Sequence, residues 1–122
     1  MTIDEKLTLL KGEIALITGA TRGIGKSIAD EFAKAGAMVI GTATTKEGAE
    51  NISNRLSSTD LDGHGIVLDV ASPEQISETI KTLKQSDLMP SILVNNAGIS
   101  LENLLMRIKE EEWEKVIAIN LS

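Results

Sequence analysis

Apolar residues along this 122-residue chain fall into two rhythms. Unbroken runs (Ile14-Ala15-Leu16-Ile17, Met38-Val39-Ile40-Gly41-Thr42, Ile66-Val67-Leu68 and Ile92-Leu93-Val94) alternate with stretches in which apolar side chains recur every three or four residues. The first such stretch carries Ile24, Ile28 and Phe32, flanked by Ala29 and Ala33. Residues 46–56 carry Ala49, Ile52 and Leu56, and a third stretch carries Ile76, Ile80 and Leu83. A last one, from about Glu110, carries Trp113, Val116, Ile117 and Leu121. Runs without alternation predict strands buried on both faces, and the helical spacing predicts amphipathic helices between them. That alternation is the pattern of an α/β fold, a doubly wound parallel sheet of Rossmann type. Four strands in the order 3-2-1-4 are expected, with the fourth at the sheet edge and the switch point between the first and fourth. The whole of 1–122 reads as part of one domain.

Punctuation supports these elements. Gly36 follows the last periodic residue of the first helix, as a C-terminal cap does. Ser72-Pro73-Glu74-Gln75 predicts a helix start, with serine capping, proline at the first helical position and Gln75 closing a capping box.

Chemistry concentrates in the turn Thr18-Gly19-Ala20-Thr21-Arg22-Gly23-Ile24-Gly25 between the first strand and first helix. Glycines let a backbone approach a ligand closely, and the first turn of a helix offers unpaired N–H groups and a positive dipole end. The turn therefore reads as a phosphate site. Two phosphate chemistries fit it. Ala20-x4-Gly25-Lys26-Ser27 comes close to the phosphate loop of nucleoside triphosphatases, with Asp69 after the third strand as a magnesium holder. A dinucleotide is the other guest, and it needs a reader for the adenosine ribose at the end of the second strand. Gly41-Thr42-Ala43-Thr44-Thr45 supplies hydroxyls and no carboxylate there, with Arg22 nearby, which suits the 2′-phosphate of NADP. Thr44 and Thr45 serve equally well as helix caps. Asn95-Asn96-Ala97-Gly98, at the end of the fourth strand, faces the same crevice and has no part in the triphosphatase reading. Asn120 falls four residues after Val116 on an apolar face. It reads either as a core amide bonded to backbone or as a bend or water site on a proton path.

Composition narrows the partners. A net charge of −6 argues against nucleic acid and anionic membranes. The absence of cysteine removes disulfides and cysteine-ligated metals, and no metal site is predicted. His64, between Gly63 and Gly65, reads as an exposed residue at the start of a strand. Asp4, Glu5 and the lack of a long apolar segment make the N-terminus neither a signal peptide nor an anchor, so the cytoplasm is expected. The sequence contains no tyrosine.

Thr18-Gly19-x3-Gly23-x-Gly25, Asp69-Val70, Asn95-Asn96-Ala97-Gly98 and Asn120, in this order, resemble the short-chain dehydrogenase/reductase family. Val39-Ile40-Gly41-Thr42-Ala43-Thr44 and Asn103-Leu104-Leu105-Met106-Arg107 through Glu111-Glu112-Trp113 are similar to its bacterial 3-oxoacyl-[acyl-carrier-protein] reductases. The resemblance implies that Gly19, Ala20, Thr21, Arg22, Gly23, Ile24 and Gly25 hold NADP, with Arg22 and Thr44 on the 2′-phosphate. It implies that Asp69 and Val70 meet adenine, and that Asn96, Ala97 and Gly98 lie against the cofactor. Asn95 would tie strands together, and Asn120 would be a catalytic-site residue whose backbone holds a relay water. The implied reaction is reduction of a β-keto thioester on acyl carrier protein in fatty acid elongation, by a homo-oligomer that is tetrameric in the family. The family's serine and Tyr-x-x-x-Lys are missing, so the chain is expected to be the N-terminal, cofactor-binding half of such an enzyme, truncated and inactive alone. The alternatives are a non-catalytic dinucleotide-binding module and the triphosphatase.

Overall fold

A computed structural model describes residues 2, 5, 8–96, 101–113 and 115–121. Strands and helices alternate: β1 (Ile14–Ile17), α1 (Gly23–Lys34), β2 (Met38–Ala43), α2 (Lys46–Ser58), β3 (Gly63–Val67), α3 (Pro73–Gln85), β4 (Ile92–Asn95), α4 (Leu101–Glu110) and β5 (Ile117–Asn120). All strand pairs are parallel, in the order β3-β2-β1-β4-β5. The expected 3-2-1-4 core is present, and a fifth strand extends it.

The strands sort their side chains by pleat. Ala15 and Ile17, Val39 and Ala43, and Ile92 and Val94 face one core with Ala29 and Ala33 of α1 and Ile52 and Leu56 of α2. Leu16, Ile40 and Leu93 face the other, with Ile76, Ile80 and Leu83 of α3 and Leu104 and Ile108 of α4. The central strands β1, β2 and β4, buried on both faces, cannot use polar alternation, which is why they read as continuous apolar runs.

The caps follow the sequence with one change. Gly36 takes φ +100 and donates to the Ala33 carbonyl, closing α1. Thr45 caps α2 through Gly48 N–H, and Ser72 caps α3 through Gln75 N–H. The Gln75 side chain does not return to Ser72; its Oε1 accepts from Asp69 N–H at 2.9 Å. That bond folds the segment after β3 back onto α3.

The end of the described chain corrects the sequence reading. Residues 101–110 form a helix outside the predicted set, although Leu101, Leu104, Leu105 and Ile108 have helical spacing. Among the described residues after Glu110, where a helix is predicted, there is no helix. Glu111 and Glu112 close α4 by bonds to the Ile108 and Lys109 carbonyls, and Glu112 takes φ +62. Ile117–Asn120 then adds to β4 as β5. Val116, Ile117 and Ile119 are β-branched and suit a strand. Ladder bonds from Ile117 N–H to Ser91 O and from Leu121 N–H to Asn95 O secure the register. β4 is accordingly an interior strand, with Ile92, Leu93 and Val94 buried, and not the exposed edge that a four-stranded sheet implies.

Candidate functional site

The carboxyl ends of β1, β2 and β4 open onto a cleft of about 420 Å³. Gly19, Thr21, Arg22, Gly23 and Ile24 line it from the turn, Thr42, Ala43 and Thr44 from β2 and its end. Leu68 and Val70 follow β3, and Asn96 follows β4. Its size suits a small-molecule ligand. It lies where the strand order reverses, with β2 on one side of β1 and β4 on the other.

Hydrogen bonds fix the turn from both neighbours. Gly19 N–H donates to Thr42 Oγ1 at 3.2 Å and Ala20 N–H to the Thr42 carbonyl at 3.0 Å. On the other side Thr18 N–H donates to the Val94 carbonyl, and Asn96 N–H donates to Thr18 Oγ1 at 2.9 Å. Asn96 Nδ2 reaches the Gly19 carbonyl at 3.3 Å. Gly19 and Gly23 sit at φ +64 and +63, a left-handed geometry that a Cβ resists.

The start of α1 is left free for an anion. The N–H groups of Gly23, Ile24 and Gly25 precede the first helical bond, from Lys26 N–H to the Arg22 carbonyl, and have no partner within the helix. Arg22 occupies the N-cap position with an extended backbone and makes no side-chain cap bond. The first turns of α2, α3 and α4 carry Glu47, Glu74 and Glu102, which complement the dipole; the first turn of α1 carries no acid. A phosphate would supply that missing negative charge. Ile24, 65% exposed, and the side chains of Leu68 and Val70 give the cleft an apolar wall as well. Phosphate donors beside an apolar slot fit a dinucleotide.

The sequence-predicted residues divide as follows. Gly19, Thr21, Arg22, Gly23, Ile24, Thr44, Val70 and Asn96 line the cleft. Ala20 and Gly25 are buried behind it and shape the turn. Asp69 lies between two lining residues, but its Oδ1 accepts from Ala71 N–H at 2.9 Å. Ala97 and Gly98 fall outside the described residues. Asn120 stands opposite Asn95 in the β4–β5 register, on a strand and not on the helical face assigned to it. Its Oδ1 accepts from Asn95 Nδ2 at 3.0 Å, and Asn95 Oδ1 accepts from Thr18 Oγ1 at 3.3 Å. Asn95 is fully buried and ties three strands together. The sequence singles out neither Leu68 nor Ala43, and marks Thr42 only as part of the hydroxyl-bearing end of the second strand. A hydroxyl at the end of β2 was visible, but its bond to Gly19 requires the strand pairing.

The profile of the short chain dehydrogenase family matches residues 13–122. A 3-oxoacyl-[acyl-carrier-protein] reductase of Pseudomonas aeruginosa is 49% identical over 113 residues, covering 93% of this chain and 46% of the relative. The reductase of the same name from Escherichia coli is 48% identical over 92% of this chain and 45% of its own length. The chain thus spans slightly less than half of these curated relatives. Among solved structures, 2-keto-3-deoxy-D-gluconate dehydrogenase from Streptococcus agalactiae superposes with a TM-score of 0.69 at 37% identity. That match covers 80% of this chain and 36% of the other.

Proposed function

This chain belongs to the short-chain dehydrogenase family, and from that membership we propose that its cleft binds NADP(H) as part of a 3-oxoacyl-[acyl-carrier-protein] reductase. The observation that carries the proposal is the start of α1, free of acidic residues, beside a β2 end with threonines and no carboxylate. First-turn N–H groups hold the pyrophosphate, and Arg22 with Thr44 takes the 2′-phosphate. Val70, Leu68 and Ile24 cover the apolar parts of the cofactor, with Asp69 at adenine and Asn96 against the cofactor from β4. The family resemblance adds Ala97 and Gly98, outside the described residues, to the cofactor's contacts, and Asn120 contributes from β5 to the catalytic end. When bound, the nicotinamide supplies hydride to the β-keto carbon of an acyl-carrier-protein thioester. The names of the relatives support that substrate class and a place in fatty acid synthesis. We assign the complete protein to the cytoplasm as a homo-oligomer; among the described residues no helix is long and apolar enough to cross a membrane.

Titration of the chain with NADPH and NADH, followed by nicotinamide fluorescence, tests the reading. NADPH is expected to bind more tightly. A charge-assisted hydrogen bond is worth about 1.5–3 kcal/mol, so Arg22→Ala should cost about ten- to a hundredfold in NADPH affinity and leave NADH nearly unchanged. Equal affinities for the two cofactors in the unsubstituted chain would overturn the assignment.

A further inference from the structure

Arg55 stands on α2, away from the residues that line the cleft, yet it reaches the glycine-rich turn. Its Nε donates to Asp30 Oδ1 on α1 at 3.0 Å, and a terminal guanidinium nitrogen donates to the Ala20 carbonyl at 3.3 Å. The pair is largely withdrawn from water, with the Arg55 side chain 20% exposed. One planar group therefore joins the helix before the turn's ligand face, the helix behind it and the turn itself.

The same face of α2 makes two further contacts with the turn. A methyl group on Gly48 would stand 3.0 Å from Thr21 Cγ2, so the first turn of α2 lies directly against Thr21. Ile52 and the Ala20 methyl meet over Gly41, where a Cβ would be 2.9 Å from Ala20 and 3.1 Å from Ile52. Gly48, Ile52 and Arg55 are spaced four and three residues apart, which places them on one stripe of the helix.

Residue Ala20 is thus held on both sides, through the peptide that precedes it and the peptide that follows it. Its N–H donates to the Thr42 carbonyl and its carbonyl accepts from Arg55. Among the described residues no peptide bond is cis. In a trans peptide the carbonyl and the following N–H point in opposite directions. A carbonyl fixed toward α2 therefore fixes the Thr21 N–H on the opposite side, and Thr21 lines the cleft.

The geometry points to Arg55 as a positioning residue that, braced by Asp30, orients the Ala20–Thr21 peptide so that the turn presents its N–H groups to a diphosphate. This rests on the cleft being the NADP(H) site. It assigns a role to a side chain that touches no cofactor. It also predicts which part of the cofactor feels its loss. The diphosphate is read by backbone groups that must be aimed, whereas the 2′-phosphate is read by Arg22 and Thr44, whose side chains adjust to a small tilt of the backbone.

The experiment measures binding of three probes to the 122-residue chain by calorimetry: NADPH, ADP for the diphosphate, and 2′-AMP for the 2′-phosphate. Arg55→Met should weaken ADP and NADPH about tenfold, the loss of one charge-assisted hydrogen bond, with 2′-AMP unchanged. Arg55→Lys keeps the charge for Asp30 but not the fork, and should recover part of the ADP affinity. Asp30→Asn, which loosens the brace, should give a smaller loss with the same pattern. These two variants carry the test if Arg55→Met does not fold by circular dichroism. Equal losses for ADP and 2′-AMP would reduce Arg55 to general stability and overturn the inference, as would undiminished ADP binding in all three variants. Failure of the unsubstituted chain to bind any probe would overturn the cofactor site itself and this inference with it.

Discussion

At Gly25 a methyl group would run into the Gly19 carbonyl and stand 2.6 Å from Asn96 Nδ2. Both neighbours are fixed, Gly19 by Thr42 and Asn96 by Thr18, so neither can move aside cheaply. Gly25→Ala is expected to destabilise the chain by about 1–3 kcal/mol through overpacking. It should also abolish NADPH binding, because the displaced groups form the floor of the cleft. Urea titration and cofactor fluorescence measure the two effects separately. Gly23 differs: an added Cβ meets nothing within 4 Å, and the obstacle is its positive φ. Such differences between neighbouring glycines were not legible in the sequence, where G-x-x-x-G-x-G marks a phosphate turn as a unit. The motif identified the right segment; the separate tasks of its glycines depend on Asn96 and Thr42, which only the folded sheet brings near.

Among the elements, β4 shows how a strand in the middle of a sheet differs from one at its edge. Asn95 ends β4 fully buried, donating to Asn120 on β5 and accepting from Thr18 beyond β1. Asn95→Ala removes these two bonds from a buried site, a cost of about 1–3 kcal/mol. Asn120 is exposed, so water replaces what it loses and Asn120→Ala should cost less. Chemical denaturation of the two variants checks that order. The first four strands and three helices were readable because apolar run and helical period alternate cleanly through Asn95. The segment from Trp113 to Leu121 was not. Its apolar residues satisfy a helical period, while Val116, Ile117 and Ile119 favour a strand, and short apolar stretches cannot be resolved by periodicity alone. Tertiary context decides: the outer edge of β4 offers backbone partners, and Trp113 Nε1 donates to the Pro90 carbonyl at 3.1 Å, holding the turn before β5.

For the molecule as a whole, β5 leaves apolar surface on view, with Ile117 68% and Ile119 38% exposed. Both lie on one face of a strand whose outer edge has no partner among the described residues. Exposed apolar edges recruit other chains. The 122-residue chain is expected to self-associate at micromolar concentration, and Ile117→Lys should shift sedimentation toward monomer. A second expectation concerns catalysis. A positioned acid contributes about 10²–10⁴-fold to carbonyl reduction, and the family resemblance gives that task to a tyrosine that this sequence lacks. His64 is no replacement, because it pairs with Ile40 toward the start of β3, away from the carboxyl ends that open on the cleft. The chain should bind NADPH without oxidising it when given an acetoacetyl thioester, whereas a chain extended through a Tyr-x-x-x-Lys segment should turn over. Absorbance at the nicotinamide band reads the outcome.

The cleft's two walls come from distant parts of the chain, and this sets an order of events in folding. Gly19 meets Thr42 across 23 residues, but Thr18 meets Asn95 across 77. Closing the longer loop costs more chain entropy, and contacts between remote segments form late. β1, β2 and their helices can assemble while the crevice still has only one side. The crevice becomes complete when β4 docks against β1 and Asn96 reaches the Gly19 carbonyl. A ligand that needs both walls then has little to bind before the main folding barrier is crossed. It acts as a latch on the finished sheet, slowing unfolding and leaving the rate of refolding almost untouched.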